Sequence, residues 1–137
     1  MGGGSLTLLL DTHALLWWLT GGGRLARVQR AAIERADASG EPIAIAAITF
    51  WEIAKLVERG RLKLTQTVDV LLEAIEEHPS VEVLPLTSRI AVESTRLGRH
   101  MTTDPADQLI VATARVHGLR LVTADERIRR AAPVSIV

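Results

Sequence analysis

Four short apolar runs separated by longer amphipathic segments constrain the fold of this chain more than any other feature. They are Leu6-Thr7-Leu8-Leu9-Leu10, Pro42 to Ala47, Val81 to Leu84 and Leu119 to Val122. The first run, strongly apolar, suits a strand covered on both faces, as parallel sheets require, and the other three, the last two interrupted by Glu82 and Arg120, also read as strands. The intervening segments read as helices: Thr12 to Thr20, ended by Gly21-Gly22-Gly23; Leu25 to Ala38; Ile53 to Arg59, ended by Gly60; Val68 to Glu77; and Thr87 to Leu97, closed by Gly98. Asp104-Pro105 opens the clearest helix, which runs to His117 and stops at Gly118. Val134 to Val137 is expected to add an edge strand. The alternation predicts an α/β protein, a three-layer α/β/α sandwich around a short, mostly parallel sheet.

With 137 residues, the chain has room for one core and therefore one site. Residues 1–5 are expected to form a flexible tail and residues 6–137 a single domain. The absence of cysteine removes disulfides, thiolate zinc sites and thiol nucleophiles together. The start shows neither the basic segment nor the long apolar stretch of a signal peptide. Ala14 to Leu19, the longest apolar run outside it, is far below the ~18 residues of a membrane-spanning helix. A soluble, cytoplasmic protein with no membrane partner is expected. Sixteen basic residues balance sixteen acidic ones, so the net field gives no attraction to a polyanion. Any affinity for nucleic acid must come from where the charges sit.

In an open α/β sheet, ligands bind beyond the carboxyl ends of the strands. Asp11 follows the first strand, Glu52 falls in the first turn of the helix after the second, and Asp125 follows the fourth. Asp107 lies in the first turn of the helix that returns antiparallel to the last strand, so it reaches the same edge. It shares a helix face with Ile110, Val111 and Ala114, which aims it inward. Each acid also has a purely structural reading. Asp11 can cap the helix starting at Thr12, Thr49-Phe50-Trp51-Glu52 and Thr123-Ala124-Asp125-Glu126 match capping boxes, and Asp104 is a natural cap ahead of Pro105. Asp107 would be a favourable charge near a positive helix end.

Capping needs one acid per helix and gives no reason for four to converge. Two carboxylates ~5 Å apart repel by ~3 kcal/mol at an effective dielectric of ~20, whereas a helix terminus returns ~0.3–1 kcal/mol. A cation should therefore occupy the site. An all-carboxylate set calls for a hard ion, Mg²⁺ or Mn²⁺.

The chain resembles the PIN-domain nucleases, and in particular the VapC-type toxins of bacterial toxin–antitoxin pairs. The resemblance is carried by Leu8-Leu9-Leu10-Asp11-Thr12-His13-Ala14, Thr49-Phe50-Trp51-Glu52, Asp104-Pro105-Ala106-Asp107-Gln108-Leu109-Ile110-Val111-Ala112-Thr113-Ala114 and Val122-Thr123-Ala124-Asp125, in that order. It implies a PIN-like fold, Mg²⁺- or Mn²⁺-dependent endoribonuclease activity, homodimers and a small antitoxin that occludes the active site. Asp11, Glu52, Asp107 and Asp125 match the family's acidic residues. Asp104 belongs to the Asp-Pro-x-Asp subset and is either a further ligand or only a cap; Asp107 is the favoured ligand.

Arg24, Arg27, Arg30, Arg127, Arg129 and Arg130 are candidate phosphate contacts, with Arg127 preferred because it lies two residues after Asp125. The alternative is a solvated helix face. Trp17, Trp18, Phe50 and Trp51 are expected to pack, with one of the adjacent Trp17 and Trp18 available to a dimer or antitoxin surface, since the two cannot face the same way on a helix. Histidines 13, 78, 100 and 117 show no ligand spacing and receive no role. A haloacid-dehalogenase-like phosphatase needs a second acid two residues after its nucleophile, where this chain has His13. A receiver-like signalling module needs paired acids after its first strand, where this chain has Asp11-Thr12. A housekeeping PIN-type RNA-processing enzyme stays open.

Overall fold

The structure is a computed structural model describing residues 5–99 and 101–137. Residues 1–4 of the expected tail, and His100, lie outside the described residues. Four strands, β1 (Leu8–Leu10), β2 (Ile43–Ala46), β3 (Val81–Leu84) and β4 (Arg120–Val122), form one sheet in the order β3-β2-β1-β4. Every pairing is parallel, with Leu9 opposite Ala44 on one side and Leu121 on the other. The helices are α1 (Thr12–Thr20), α2 (Arg27–Ala38), α3 (Ile48–Glu58), α4 (Val68–Glu77), α5 (Ser88–Glu93), α6 (Pro105–His117) and α7 (Glu126–Ala131).

The alternation of side chains along β1 splits the core in two. Leu8 and Leu10 pack with Leu15, Ile33, Ile53 and Ile75 of α1 to α4 on one face. Leu9 packs with Ile110, Val111 and Ile128 of α6 and α7 on the other. The three-layer sandwich follows from this double burial. Since β2 and β4 flank β1, the chain winds outward from β1 in both directions, which opens a crevice beyond the carboxyl ends of β1 and β4.

Several boundaries differ from the sequence reading for identifiable reasons. Helix α2 starts at Arg27 because Ala26 is its cap residue, with its amide donating to Gln29 Oε1 at 3.1 Å. Helix α3 starts at Ile48, directly after Ala47, not at Ile53. Thr49 is therefore inside the helix, fully buried, and no capping box exists there. Helix α5 ends at Glu93 instead of Leu97; the Ser94 and Thr95 hydroxyls donate back to the carbonyls of Ala91 and Val92, competing with the helical bonds. In the second expected capping box, Asp125 is itself the cap of α7, while the Thr123 hydroxyl accepts from the Asp125 amide. The expected C-terminal strand reduces to one parallel bridge, Leu121 to Ile136. Gly21 and Gly118 end α1 and α6 at φ 74° and 66°, a conformation that costs glycine little.

Candidate active site

The crevice is a cavity of about 720 Å³ lined by Asp11, Glu52, Asp104, Asp107 and Asp125. Strand β1 delivers Asp11 to its floor. The Asp11 amide donates to the Val122 carbonyl at 3.1 Å, holding the residue in line with β4, and its carboxylate caps α1 by accepting from the Ala14 amide at 2.9 Å. Burial pushes the Asp11 carboxyl above its usual range. The Thr123 hydroxyl, the Ala14 amide and His13 work against that rise, while the Glu52 charge adds to it.

Glu52 reaches the site from the second turn of α3, a correction to the first-turn placement expected from the sequence. The Thr12 hydroxyl donates to Glu52 Oε1 and lies 3.4 Å from the buried Thr49 hydroxyl. Two threonines thus tie α1 to α3 and fix the Glu52 carboxylate. Asp104 caps α6 by accepting from the Asp107 amide at 3.0 Å. Asp125 caps α7 by accepting from the amides of Arg127 and Ile128 at 2.9 and 3.1 Å. Asp11 and Asp104 cap as the capping reading expected, and Asp125 caps α7 in place of Thr123, yet these three line one cavity with Glu52 and Asp107, which cap nothing.

Asp107 bears the electrostatic consequence. Its carboxyl is pushed up to about 7, first by burial and then by the charges of Asp104, Glu52, Asp125 and Asp11 in that order. Carboxylate oxygens of Glu52, Asp104 and Asp107 all lie within 4.8 Å of one another, close enough to share one ion. The donor set is oxygen only, which fits a hard divalent cation. Asp104 belongs to this tightest group, while Asp11 and Asp125 approach it from the strand ends.

The cavity also holds residues for which the sequence reading gave no site role. Thr12 is one. Lys55 and Arg59, followed by Arg61, are others, and they line the wall beside Glu52. Glu52, Lys55, Leu56 and Arg59 follow the i, i+3, i+4, i+7 rule, so applying it to Glu52 as well as to Asp107 would have found them. Of the arginines named from sequence, Arg24 lines the cavity, whereas Arg127 is exposed on α7 and is not among the lining residues. Arg30 donates to the Gly22 carbonyl at 2.7 Å. Arg129 donates to the carbonyls of Thr123 and Val137. Trp17 and Trp51 line the cavity. Trp18 packs against His78, with ring centroids 5.4 Å apart.

Residues 8–133 match the PIN domain family. Ribonuclease VapC22 of Mycobacterium tuberculosis (strain ATCC 25618 / H37Rv) is 41% identical over 123 residues, which make up 90% of each chain. Among solved structures, VapBC2 from Rickettsia felis bound to a promoter DNA fragment superposes with a TM-score of 0.70 at 15% identity, covering 96% of this chain and 97% of that one. DNA-bound VapBC from Salmonella typhimurium gives 0.67 at 21%, again over 96% and 97%. These structural neighbours share the fold, and the family match and the mycobacterial relative carry the assignment: the chain belongs to the PIN-domain family, among its VapC-type ribonucleases.

Proposed function

We propose that this chain is an endoribonuclease that hydrolyses RNA phosphodiesters with Mg²⁺ or Mn²⁺ held by Glu52, Asp107, Asp11 and Asp125, with Asp104 completing the cage. The observation that carries the reading is the convergence of five carboxylates from four separate elements on one cavity, three of them within 4.8 Å. The name of the mycobacterial relative, a ribonuclease, supports the substrate class. A bound divalent cation lowers the pKa of the attacking water and stabilises charge on the phosphoryl oxygens.

The protein's own residues supply position and charge. The Ala14 amide and Thr123 hydroxyl hold Asp11 on the cavity floor, and the Thr12 hydroxyl holds Glu52 across from it. At neutral pH part of the Asp107 carboxyl stays protonated, and binding a cation would displace that proton. Asp125 is anchored by two amides of its own helix. Such pre-positioning avoids reorganisation during the reaction.

That the structural neighbours are VapBC complexes supports a biological role as the toxin of a toxin–antitoxin pair, restrained by a small antitoxin protein; a homodimer acting in the cytoplasm completes the proposal. No helix among the described residues is long and apolar enough to cross a membrane. The test is cleavage of RNA by purified protein. Cleavage that needs Mg²⁺ or Mn²⁺, stops in EDTA and is lost in Asp11→Asn supports the proposal; EDTA-insensitive cleavage, or an active Asp11→Asn protein, overturns it. A pull-down yielding only homo-oligomer, together with harmless expression of active protein, would favour a housekeeping nuclease over a toxin.

A further inference from the structure

The peptide of Thr123 is held from both layers of the sandwich. The β1–β4 ladder ends where the Asp11 amide donates to the Val122 carbonyl, and the next carbonyl, that of the fully buried Thr123, accepts from no backbone amide among the described residues. A buried carbonyl needs a partner, and two side chains supply it. Gln29 Nε2 of α2 donates to it at 2.7 Å and Arg129 Nη1 of α7 at 3.0 Å, which occupies both lone pairs. Gln29 is 2% exposed and shares the buried face of α2 with Ile33 and Ala36. An apolar residue would fill that face without the desolvation cost of an amide. The amide is engaged at both ends, because its Oε1 accepts from the Ala26 amide at 3.1 Å. Turning it over would set oxygen against the Thr123 carbonyl, so its orientation is fixed.

Thr123 passes this constraint to the site. Its hydroxyl bonds the Asp11 carboxylate and accepts from the Asp125 amide at 3.0 Å, so one side chain spans the two acids at the ends of β1 and β4. The loop that carries it, residues 123–125, is too short to absorb a tilt of the Thr123 peptide without moving Asp125. We propose that Gln29 is a positioning residue for the site: by fixing the Thr123 peptide it holds Asp11 and Asp125 in mutual register, although no residue of α2 lines the cavity. The inference rests on the nuclease reading and adds how the strand-end acids are kept in place. Arg129 still holds the carbonyl when Gln29 is changed, so the loop stays folded but is free to tilt.

Mn²⁺ binding, with free ion counted by electron paramagnetic resonance, RNA cleavage kinetics, and amide hydrogen exchange in EDTA test this on the full chain, with circular dichroism to confirm folding. Gln29→Met should weaken Mn²⁺ binding and lower kcat about tenfold each, with KM for RNA unchanged. Thr123→Val should do the same, and the double variant should lose no more than Thr123→Val alone, because the two residues act in series. In EDTA, Gln29→Met should speed exchange at the Asp125 amide. Ile33→Val, which trims the same buried face of α2, should lower the melting temperature and leave Mn²⁺ affinity, kcat and Asp125 exchange as in wild type. If Gln29→Met does not fold, Gln29→Asn, whose amide falls one methylene short of the Thr123 carbonyl, carries the same expectations. Additive losses in the double variant, a raised KM with kcat unchanged, unchanged Asp125 exchange, or the same losses in Ile33→Val overturn the proposal. Wild type that neither binds Mn²⁺ nor cleaves RNA removes the nuclease reading, while faster Asp125 exchange in Gln29→Met leaves the positioning role standing; wild type that binds and cleaves, with Gln29→Met indistinguishable from it, removes the positioning role alone.

Discussion

Replacing Asp107 by asparagine should stabilise the metal-free protein, and only at neutral and alkaline pH. Asp107 has its carboxyl pushed up from 3.8 to about 7 in the folded chain, by burial first and by four neighbouring carboxylates after it. In the unfolded chain it titrates near 3.9. Between these values the folded state binds the extra proton, so folding stability falls as pH rises from about 4 to about 7 and is level above that. Taken at face value the shift corresponds to ~4 kcal/mol at ~1.36 kcal/mol per unit. The carboxylate faces an open, solvated mouth, and screening there reduces the usable part to about 1–2 kcal/mol. Asparagine removes this penalty and gives up ~0.3–1 kcal/mol of helix N-terminal charge. The net gain of about 1 kcal/mol raises the melting temperature by about 3–5 °C for a domain of this size. Thermal melts in EDTA at pH 4.5 and pH 8 measure it. The variant should match wild type at the lower pH and melt higher at the upper one. A variant that melts lower at pH 8, or whose difference from wild type is the same at both pH values, would refute the reasoning.

Other changes read other parts of the site. Asp11→Asn should abolish cleavage while circular dichroism stays unchanged, because asparagine keeps an oxygen for the Ala14 amide. Asp107→Asn should slow cleavage at saturating Mg²⁺ more than Asp104→Asn; the reverse order of rates would make Asp104 the principal ligand. Thr12→Val should lower the cleavage rate about tenfold by freeing the Glu52 carboxylate, with Thr12→Ser restoring it. Equal rates in all three proteins would show that the Thr12 hydroxyl positions nothing. Gln29→Leu should cost about 1–2 kcal/mol, read by urea unfolding, since the buried Gln29 amide bridges the Ala26 amide and the Thr123 carbonyl behind the site.

The layer order, the helix α1, α4 and α6 spans and the edge of the sheet that bears the site were legible because they follow from local pattern: apolar runs, glycine stops and the Asp104-Pro105 start. The boundaries that moved were decided by tertiary contacts. Thr49 looked like a cap by its spacing to Glu52, but burial against Thr12 gives its hydroxyl a partner on another helix, and α3 starts two residues earlier than such a cap implies. Asp104 looked like a cap and is one, yet the return of α6 past α3 also brings its carboxylate to Glu52, a proximity that no spacing along the chain encodes. The basic wall escaped notice because Lys55 and Arg59 end an otherwise ordinary helix. Only their common face with Glu52 marks them. Arg127 was chosen for closeness in sequence to Asp125; it is exposed on α7 and is not among the residues that line the cavity.

The account's central claim is that these carboxylates converge to hold a divalent cation. Titrating Mn²⁺ into the purified protein at pH 7, with free ion counted by electron paramagnetic resonance and released protons followed in weak buffer, tests it most directly. The account predicts saturable binding to wild type with proton release from Asp107, competition by Mg²⁺, and loss of both signals in Asp107→Asn. Binding that does not saturate, or that is undiminished and releases the same protons in Asp107→Asn, would contradict it.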